Sequence, residues 1–331
     1  MKISVALAAW RGSAYLDAQL DSLAAQTRLP DELVAVDDAS GDHTPDMLDA
    51  FAARAHFPVR VLRNPTNLGY AQNFGRALSE CTGDLVLPCD QDDVWFPEKL
   101  ERFEDWAQAR PDMQIFACDA ELTDGALIPT GRTKRGQIAA VGLPEDAFVM
   151  GCCLGVRRAF LDVALPLPQG ARAHDTWLVE LADRFGLVDR RGEVLQYYRQ
   201  HGANTSDFLA NTPDAIGPMR RMTLRAASIL RRMRSDGGLM REIDSLRLQN
   251  QRIADRTSDI AALSSPERLA AARVTLGNHL DRLEARAAAR SATPLSRPVA
   301  VARLWRAGGY AGTGGMTGAV RDLTTPSESG R

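Results

Sequence analysis

Leu85-Val86-Leu87-Pro88-Cys89-Asp90-Gln91-Asp92-Asp93-Val94-Trp95 is an apolar run that ends in three carboxylates within four residues. The apolar half predicts a buried strand, and the carboxyl end of such a strand is where open α/β sheets hold their ligands. Carboxylates this close repel one another unless a cation compensates their charge. The segment therefore predicts a divalent metal, held by hard oxygen ligands and completed by the phosphates of a ligand. The alternative is an acidic turn that caps a helix starting near Pro97.

The composition is typical of a globular enzyme and points to no polyanionic partner. The chain has 331 residues, enough for one large domain or two, and its formal net charge of -2 gives no general attraction to nucleic acid. The cysteines lie in apolar segments without metal-type spacing, which predicts reduced, buried thiols. The apolar N-terminal segment is too short for a signal peptide, and no stretch is long enough to span a membrane. We therefore expect a cytoplasmic protein.

Strand-like and helix-like segments alternate along the N-terminal part of the chain. Short apolar runs predict strands at residues 3–8, 33–36, 59–62 and 84–89, with helices between them. Thr44 followed by Pro45 predicts a helix start, with Thr44 as the capping residue and the proline at the first helical position. The alternation predicts an α/β fold, with a mostly parallel sheet and helices on both faces. After the first strand, Trp10-Arg11-Gly12-Ser13 lacks both glycine-rich phosphate-binding fingerprints.

Three of the predicted strands are followed by side chains of complementary chemistry. Trp10, Asp38 and residues 90–93 each come just after a strand, so they should meet in one crevice. An aromatic ring can stack on a nucleobase, a carboxylate can accept from a base N–H, and a metal can neutralise a diphosphate. Individually, Trp10 could be a packed aromatic and Asp38 a turn residue, but their convergence predicts a nucleotide site.

The motifs, taken in order, resemble the family-2 inverting glycosyltransferases. The resemblance rests on Ser4-Val5-Ala6-Leu7, residues 15–27, Val36-Asp37-Asp38-Ala39-Ser40-Gly41-Asp42-His43-Thr44, Asn67-Leu68-Gly69-Tyr70-Ala71-Gln72-Asn73-Phe74-Gly75 and Asp90-Gln91-Asp92-Asp93-Val94-Trp95. The last motif is similar to the rhamnosyltransferase-like branch. The resemblance covers residues 1–205 and implies a GT-A fold, with a nucleotide-sugar-binding half at 1–115 and an acceptor half at 116–205. It also implies a nucleotide-sugar donor and a divalent metal, Mg or Mn.

The resemblance implies roles for residues of the first half. Asp38 would contact the base, Asp90 the donor ribose or sugar, and Asp92 the metal on the diphosphate. Four more residues complete the implied nucleotide-sugar site: Ala8, Trp10, Asn73 and Gln91. One departure is visible, since Arg11 stands where the family usually has asparagine.

The second half is expected to supply a catalytic base and an acceptor site. Direct inverting displacement needs a group that takes the proton of the acceptor hydroxyl as its oxygen attacks the anomeric carbon. Asp175 matches the family's base position, in the first turn of a predicted helix; its alternative role is an acidic residue favoured by the helix dipole. His174 is the rival base and otherwise positions the acceptor. The segment 151–158 is predicted to be a strand beneath the acceptor, and Cys152 and Trp177 are expected to help position it.

Tyr197-Tyr198-Arg199-Gln200-His201-Gly202 closes the predicted catalytic region. Similar family members carry a histidine here that coordinates the metal, so His201 is implied as a second metal ligand beside Asp92. Imidazole suits Mn better than Mg. The alternative is a histidine in an exposed loop. Arg199 is expected to position the acceptor or to pair with the diphosphate.

The character of the chain changes after residue 205. Residues 206–331 predict a helical extension and a C-terminal tail that is mobile at its end. Its two apolar stripes are Leu239, Ile243, Leu246 and Ile253, and Leu269, Leu276, Leu280 and Leu283. Between Met219 and Arg256, ten arginines stand against four acidic residues. Such a surface is either simply solvated or a basic amphipathic face that meets anionic membrane lipid or a polyprenyl-diphosphate-linked acceptor.

These features predict an inverting, metal-dependent glycosyltransferase that moves a sugar to a hydroxyl of a glycan or lipid-linked saccharide. The donor expected first is dTDP-rhamnose, and this expectation rests on the branch resemblance alone. A UDP-sugar is the alternative donor. A nucleotidyltransferase also places carboxylates at strand ends, but the chain lacks its glycine-rich basic loop. The non-enzymatic alternative is a degenerate sugar-nucleotide-binding or scaffold protein. The joint presence of Asp38, Asp92, Asp175 and His201 argues against it.

Overall fold

The computed structural model describes residues 1–202, 212, 214–217, 219–223 and 237–324. The chain divides into two compact units, Met1–Arg221 and Met222–Arg331. The first contains the predicted catalytic region, and the second contains most of the predicted helical extension. The expected boundary between residues 205 and 206 stays a prediction, because the residues around it lie outside the described part of the chain.

Strands and helices alternate in the first unit. The strands are β1 (Ile3–Ala9), β2 (Glu32–Asp37), β3 (Val59–Arg63), β4 (Leu85–Asp90), β5 (Val94–Trp95), β6 (Ile115–Thr123), β7 (Pro129–Thr133), β8 (Leu154–Arg157) and β9 (Val188–Arg199). The helices are α1 (Leu16–Ala24), α2 (Thr44–Arg54), α3 (Tyr70–Glu80), α4 (Lys99–Ala109), α5 (Lys134–Val141), α6 (Arg158–Ala164) and α7 (His174–Asp183). The predicted strands and helices of the first ninety residues are all present, with ends shifted by one or two residues.

The described strands form one sheet in the order β3-β2-β1-β4-β8-β6-β9-β5, with β7 paired to β6. The pairs β1–β2, β1–β4 and β2–β3 are parallel. Every residue of β1 and β2 is buried, so both faces of this part of the sheet are covered, as parallel sheets require. The predicted α/β class is therefore confirmed.

The second half of the sheet is less parallel than the sequence predicts. β8 pairs antiparallel with both β4 and β6, and β5 pairs antiparallel with β9, whereas β6 and β9 are parallel. β6 and β7 are joined by a short connection at residues 124–128, which antiparallel neighbours allow and parallel ones do not. The described sheet as a whole is mixed.

Two local predictions are corrected by the structure. The predicted strand at 151–158 is shorter, because Gly151–Cys153 forms a 3-10 turn before β8. α2 begins at Thr44, but the Thr44 side chain does not cap it; Asp42 Oδ1 accepts the Thr44 N–H at 3.1 Å. Thr44 Oγ1 instead accepts the N–H of Gly12 at 2.8 Å, which fastens α2 to the loop after β1.

The second unit is helical in its described part. Its helices are α8 (Gly237–Asp255), α9 (Thr257–Leu263), α10 (Pro266–Ser291), α11 (Arg297–Arg306) and α12 (Gly315–Thr324). The two predicted apolar stripes are buried, except that Leu280 is half-buried. Arg286 and Asp322 form a buried ion pair at 2.8 Å. None of the helices in the described ranges combines the length and apolar character that crossing a membrane requires.

Parts of the predicted basic face and tail lie outside the described residues. Four of the ten arginines between Met219 and Arg256 lie outside the described residues: Arg225, Arg231, Arg232 and Arg234. The end of the tail, residues 325–331, also lies outside them.

Candidate active site

The ends of β1, β2 and β4 meet at one edge of the sheet, where the sequence predicts a crevice. In the register of the sheet, Ala8 lies beside Asp90, and the ends of β1 and β2 are likewise adjacent. Trp10 follows β1 directly and is 47% exposed. The structure therefore brings Ala8 and Trp10 to the same edge as the acidic loop, residues 90–93.

The loop after β1, residues 10–13, is held by a side chain at each of its four backbone N–H groups. The bonds run from Trp10 N to Gln91 Oε1 (2.8 Å), Arg11 N to Ser40 Oγ (2.8 Å), Gly12 N to Thr44 Oγ1 (2.8 Å) and Ser13 N to Asp42 Oδ2 (3.3 Å). Burial alone would raise the pKa of Asp42, but hydrogen bonds from Thr44 and Ser13 outweigh it and lower the pKa to about 2. Because these N–H groups are in use, the loop does not offer them to a phosphate as a glycine-rich loop does.

Asp38 is a buried anchor for the loop before α3. Its carboxylate accepts hydrogen bonds from Asn64 Nδ2 (2.6 Å), Leu68 N (2.8 Å) and Gly69 N (3.0 Å). Asn73 joins the network and accepts from the same Asn64 amide at 2.9 Å. Both residues that the resemblance assigns to the nucleotide site, Asp38 and Asn73, therefore hold protein backbone and side chains together.

The neighbouring Asp37 carries an acceptor atom that the sequence analysis missed. Its Oδ2 accepts the N–H of Ser40 at 3.1 Å, whereas its Oδ1 is buried and has no hydrogen-bond partner among the described residues. Leaving such an oxygen unsatisfied costs about 1–3 kcal/mol or more. An unmet acceptor of this kind can take the N–H or O–H of a ligand. No sequence pattern separates Asp37 from Asp38, since the two are adjacent at the end of one strand.

Burial and mutual repulsion oppose ionisation of the carboxylates that follow β4. Ligand atoms of Asp90, Asp93 and Cys152 lie within 4.8 Å of one another. Burial and, next, the charge of Asp92 raise the pKa of Asp90 to about 7. The same two causes raise the pKa of Asp93 well above its usual value. A cation bound at this loop would offset the cost of ionising these groups.

Asp92 and His201 are in contact although 109 positions separate them in the chain. His201 Nε2 lies 2.8 Å from Asp92 Oδ2, and the imidazole stacks on Tyr15 with ring centroids 4.4 Å apart. Arg199 donates to the backbone carbonyl of Asp92 at 2.8 Å and to that of Gly125 at 3.0 Å. Arg199 therefore fastens the acidic loop to the segment that carries the histidine.

The donor set at this edge fits a divalent metal. Carboxylate oxygens and one imidazole nitrogen suit Mg or Mn, and the imidazole favours Mn. The His201 and Asp92 side chains are 9% and 17% exposed, so a cation between them would be shielded but reachable. Cys152, expected at the acceptor site, is instead 1% exposed beside the acidic loop and accepts from Gln196 Nε2 at 3.1 Å.

Asp175 lies at the start of α7 and faces the Gly151–Cys153 turn. Its Oδ2 accepts the N–H of Gly151 at 3.1 Å, and its Oδ1 accepts the N–H of Thr176 at 2.6 Å. After burial and Asp92, the charge of Asp175 is a further cause of the raised pKa of Asp90. The carboxylate of Asp175 is therefore close enough to the acidic loop to interact with it electrostatically.

His174 is buried next to Asp175 and keeps its hydrogen-bonding capacity. Its ring stacks on Phe74 with centroids 3.9 Å apart, and neither ring nitrogen has a hydrogen-bond partner in the described part of the chain. Burial lowers the pKa of His174, so the ring is neutral at neutral pH. Glycine is required at position 151, because a Cβ there would lie 2.4 Å from His174 Nε2.

Two other side chains lie beneath the site. Trp177 is 4% exposed and donates its indole N–H to the carbonyl of Ala164 at 3.0 Å, so it packs under the site and does not line it. Lys99, which the sequence analysis missed, is fully buried and donates to the Cys152 carbonyl at 2.7 Å and to the Gln196 side chain. A lysine in the first turn of a helix reads as a solvent-exposed residue, so no sequence signal identifies it.

Solved structures share this fold. The crystal structure of S. aureus TarS 1-349 in complex with UDP matches with a TM-score of 0.53 at 18% identity, over 98% of this chain and 89% of that one. The same protein in complex with UDP-GlcNAc matches with a TM-score of 0.53 at 15% identity, over 98% and 90% of the two chains. At these identities the likeness concerns the fold, and the predicted GT-A fold is confirmed.

Sequence comparison gives a family match for the first unit. Residues 4–164 match the family model of glycosyl transferase family 2, which covers most of that unit. An uncharacterized glycosyltransferase of Nostoc sp. is 28% identical over 62% of this chain and 66% of its own length. The abequosyltransferase RfbV of Salmonella typhimurium is 29% identical over 39% of this chain and 38% of its own length. The chain thus spans less than two thirds of these relatives, and the rhamnosyltransferase-like branch stays a prediction.

Proposed function

We propose that this protein is an inverting, metal-dependent glycosyltransferase that moves a sugar, rhamnose as the first candidate, from a nucleotide-sugar donor to a hydroxyl of a glycan or lipid-linked saccharide. The observation that carries the proposal is the grouping at one edge of the sheet. Asp92 is paired with His201, and Asp175 lies beside the acidic loop and the Gly151 turn. A cation site and a carboxylate base are the two groups that this displacement needs.

The first step of the proposal concerns the donor diphosphate. A divalent metal at Asp92 and His201 would neutralise the diphosphate charge. The N–H groups of residues 10–13 are in use, and Arg199 donates to backbone carbonyls, so these groups of the described chain do not replace the metal. TarS, which has the same fold, is solved with UDP and with UDP-GlcNAc, which supports a nucleoside diphosphate sugar as the donor class.

The second step concerns the base. The resemblance assigns the base contact to Asp38, but the oxygens of Asp38 already accept three hydrogen bonds, whereas Asp37 Oδ1 is buried without a partner among the described residues. Uracil and thymine each carry one ring N–H that such an oxygen can accept. Asp37 is therefore the better candidate, and the donor is dTDP-rhamnose or a UDP-sugar.

Replacing each of the two aspartates by asparagine separates these assignments. Asp37→Asn is expected to weaken UDP and dTDP binding by about tenfold or more, because a hydrogen bond to a charged group is worth about 1.5–3 kcal/mol. Its melting temperature should stay unchanged or rise, since the buried oxygen lacks a protein partner. Asp38→Asn is expected mainly to lower the melting temperature, because one oxygen cannot keep three donors. Calorimetry measures the nucleotide affinity of each variant, and thermal melts measure its stability. Weaker nucleotide binding in Asp38→Asn with a lower melting temperature in Asp37→Asn would assign the base contact to Asp38.

The third step concerns the acceptor. Asp175 is proposed as the base that takes the proton of the acceptor hydroxyl, and His174 as the residue that positions this hydroxyl with its neutral ring. The buried, unpartnered ring nitrogens of His174 within the described chain support this, because a ligand would satisfy them. The 3-10 turn at Gly151–Cys153 supplies the N–H that orients the Asp175 carboxylate.

A panel of nucleotide sugars tests the proposed function. Thermal melts of the purified protein with dTDP-, UDP- and GDP-sugars, each with Mg or Mn, should show one donor that stabilises the protein only when a metal is present. Incubation of that donor with saccharide acceptors should release a nucleoside diphosphate. Release of pyrophosphate from a nucleoside triphosphate would instead identify a nucleotidyltransferase. Absence of stabilisation by every pair of donor and metal would contradict the proposal.

We also propose that the second unit contacts an anionic membrane surface. Met316, Val320 and Leu323 are exposed by 71%, 42% and 41%, and their spacing places them on one face of α12, away from the buried Gly318 and Asp322. Of the six arginines between residues 285 and 321, Arg286 and Arg290 are buried against Asp322, whereas Arg303 and Arg306 are exposed. An apolar stripe set in a basic segment fits anionic lipid by its charge.

Liposome sedimentation of the full-length protein tests this surface. Binding to vesicles that contain phosphatidylglycerol is expected at low salt, and it should weaken as salt increases. Leu323→Asp should reduce binding by about tenfold or more, because it removes an exposed leucine whose burial in lipid is worth about 1.5–3 kcal/mol. Val274→Asp is the control, at an exposed valine of α10 outside this stripe. A change of oligomeric state in Leu323→Asp with unchanged vesicle binding would show that a second copy covers the stripe.

A further inference from the structure

The side chain of Gln91 joins the two ends of the proposed donor site. Gln91 Oε1 accepts the N–H of Trp10 at 2.8 Å, and Gln91 Nε2 donates to the carbonyl of the same residue at 3.0 Å. Gln91 stands between Asp90 and Asp92 in the acidic loop, whereas Trp10 carries the exposed ring at the end of β1. One planar amide therefore ties the backbone of the aromatic platform to the loop that carries the proposed metal ligand.

The contact between Gln91 and the loop after β1 is tight. A Cβ on Gly12 would lie 2.2 Å from Gln91 Oε1, which shows that the amide packs directly on the Gly12 backbone. Arg11 has a φ of 49°, a region that costs a residue with a side chain about 1–3 kcal/mol. The bond from its N–H to Ser40 Oγ at 2.8 Å helps to hold this conformation. Residues 10–13 are thus fixed as one piece against Gln91.

We propose that Gln91 is a positioning residue that couples binding of the base at Trp10 to binding of the metal at Asp92; this inference rests on the function proposed above. A cation at Asp92 fixes the conformation of the acidic loop. Gln91, through its two hydrogen bonds to Trp10, then fixes the backbone of Trp10 as well. Coupling of this kind is reciprocal, so a base bound at Trp10 must raise the metal affinity by the same factor. The role differs from a direct donor contact, because both polar groups of the Gln91 amide already bind the protein.

A nucleoside without phosphates separates this coupling from direct contact between metal and diphosphate. The full-length protein is titrated with Mn by calorimetry, with and without saturating uridine or thymidine. In the wild type the nucleoside is expected to tighten Mn binding by about fivefold or more. In Gln91→Ala this factor should fall to about one. Gly12→Ala should have the same effect, because its methyl group displaces the amide without removing it.

The control is Gln108→Ala, at an exposed glutamine of α4, which should keep the wild-type factor. Circular dichroism of each variant checks that the fold is intact. Independent binding of nucleoside and Mn in the wild type, or full coupling retained in Gln91→Ala, overturns the inference. Metal-dependent binding of UDP or dTDP would then still support the proposed function. A wild-type protein that binds neither a nucleotide nor Mn would overturn both.

Discussion

Asp175→Asn is expected to lower the rate of sugar transfer by about 10²–10⁴-fold, while the affinity for the nucleotide stays close to that of the wild type. Asparagine has the same size but cannot take the proton of the acceptor hydroxyl. The donor and metal are proposed to bind around Trp10 and Asp92, so their binding should be preserved. Single-turnover transfer measures the chemical step, and calorimetry with UDP or dTDP measures binding.

The controls for this variant follow from its hydrogen bonds. Asp175 accepts from the N–H groups of Gly151 and Thr176, and an asparagine oxygen can keep only one of them, so a thermal melt must show an intact fold. Asp162→Asn, at a carboxylate of α6 that is 68% exposed, should leave transfer unchanged. His174→Ala should reduce transfer less than Asp175→Asn. Near-wild-type transfer in Asp175→Asn beside an inactive His174→Ala would assign the base to the histidine.

Asp92→Ala is expected to abolish the metal dependence of nucleotide binding and, with it, transfer. A bound metal stabilises the negative charge of the diphosphate by several kcal/mol. Its loss should therefore lower the affinity for UDP or dTDP in the presence of Mn by about 100-fold or more. His201→Ala should act in the same direction but more weakly, because the carboxylate and the phosphate oxygens remain as ligands. Calorimetry with and without EDTA measures both effects.

Asp46→Ala, at an 81% exposed carboxylate of α2, is the matched control and should retain metal-dependent binding. Unchanged affinity and unchanged metal dependence in Asp92→Ala would remove the metal assignment.

The stability of the protein is expected to depend on pH through Asp90, because burial and then the charge of Asp92 raise the pKa of Asp90 from 3.8 to about 7. The metal-free protein should lose stability as the pH rises between these values, since the folded carboxyl resists ionisation. Mn should therefore raise the melting temperature more above pH 7 than below it.

Several interactions at the site could not be predicted from the sequence. Asp37 and Asp38 are adjacent and chemically identical, yet one anchors the loop before α3 and the other keeps an unmet acceptor. Arg199 was expected near the acceptor or the diphosphate, but its guanidinium donates to backbone carbonyls of the described chain. Each outcome depends on which donors and acceptors the folded backbone brings within hydrogen-bond distance. Sequence spacing carries no information about such partners.

What the sequence by itself determined is the series of strands and helices in the first ninety residues and the position of the acidic loop at the end of β4. Apolar periodicity and helix-start residues are local properties, so they can be recognised without knowledge of the fold. Only the tertiary structure decided that β8, β6 and β9 make the sheet mixed, because strand pairing joins segments far apart in the chain. It likewise decided that Gln91 holds Trp10, and it brings together His201 and Asp92, which the family resemblance implies as joint metal ligands. These contacts exist only after folding, because they join residues that are about 80 or more positions apart in the chain.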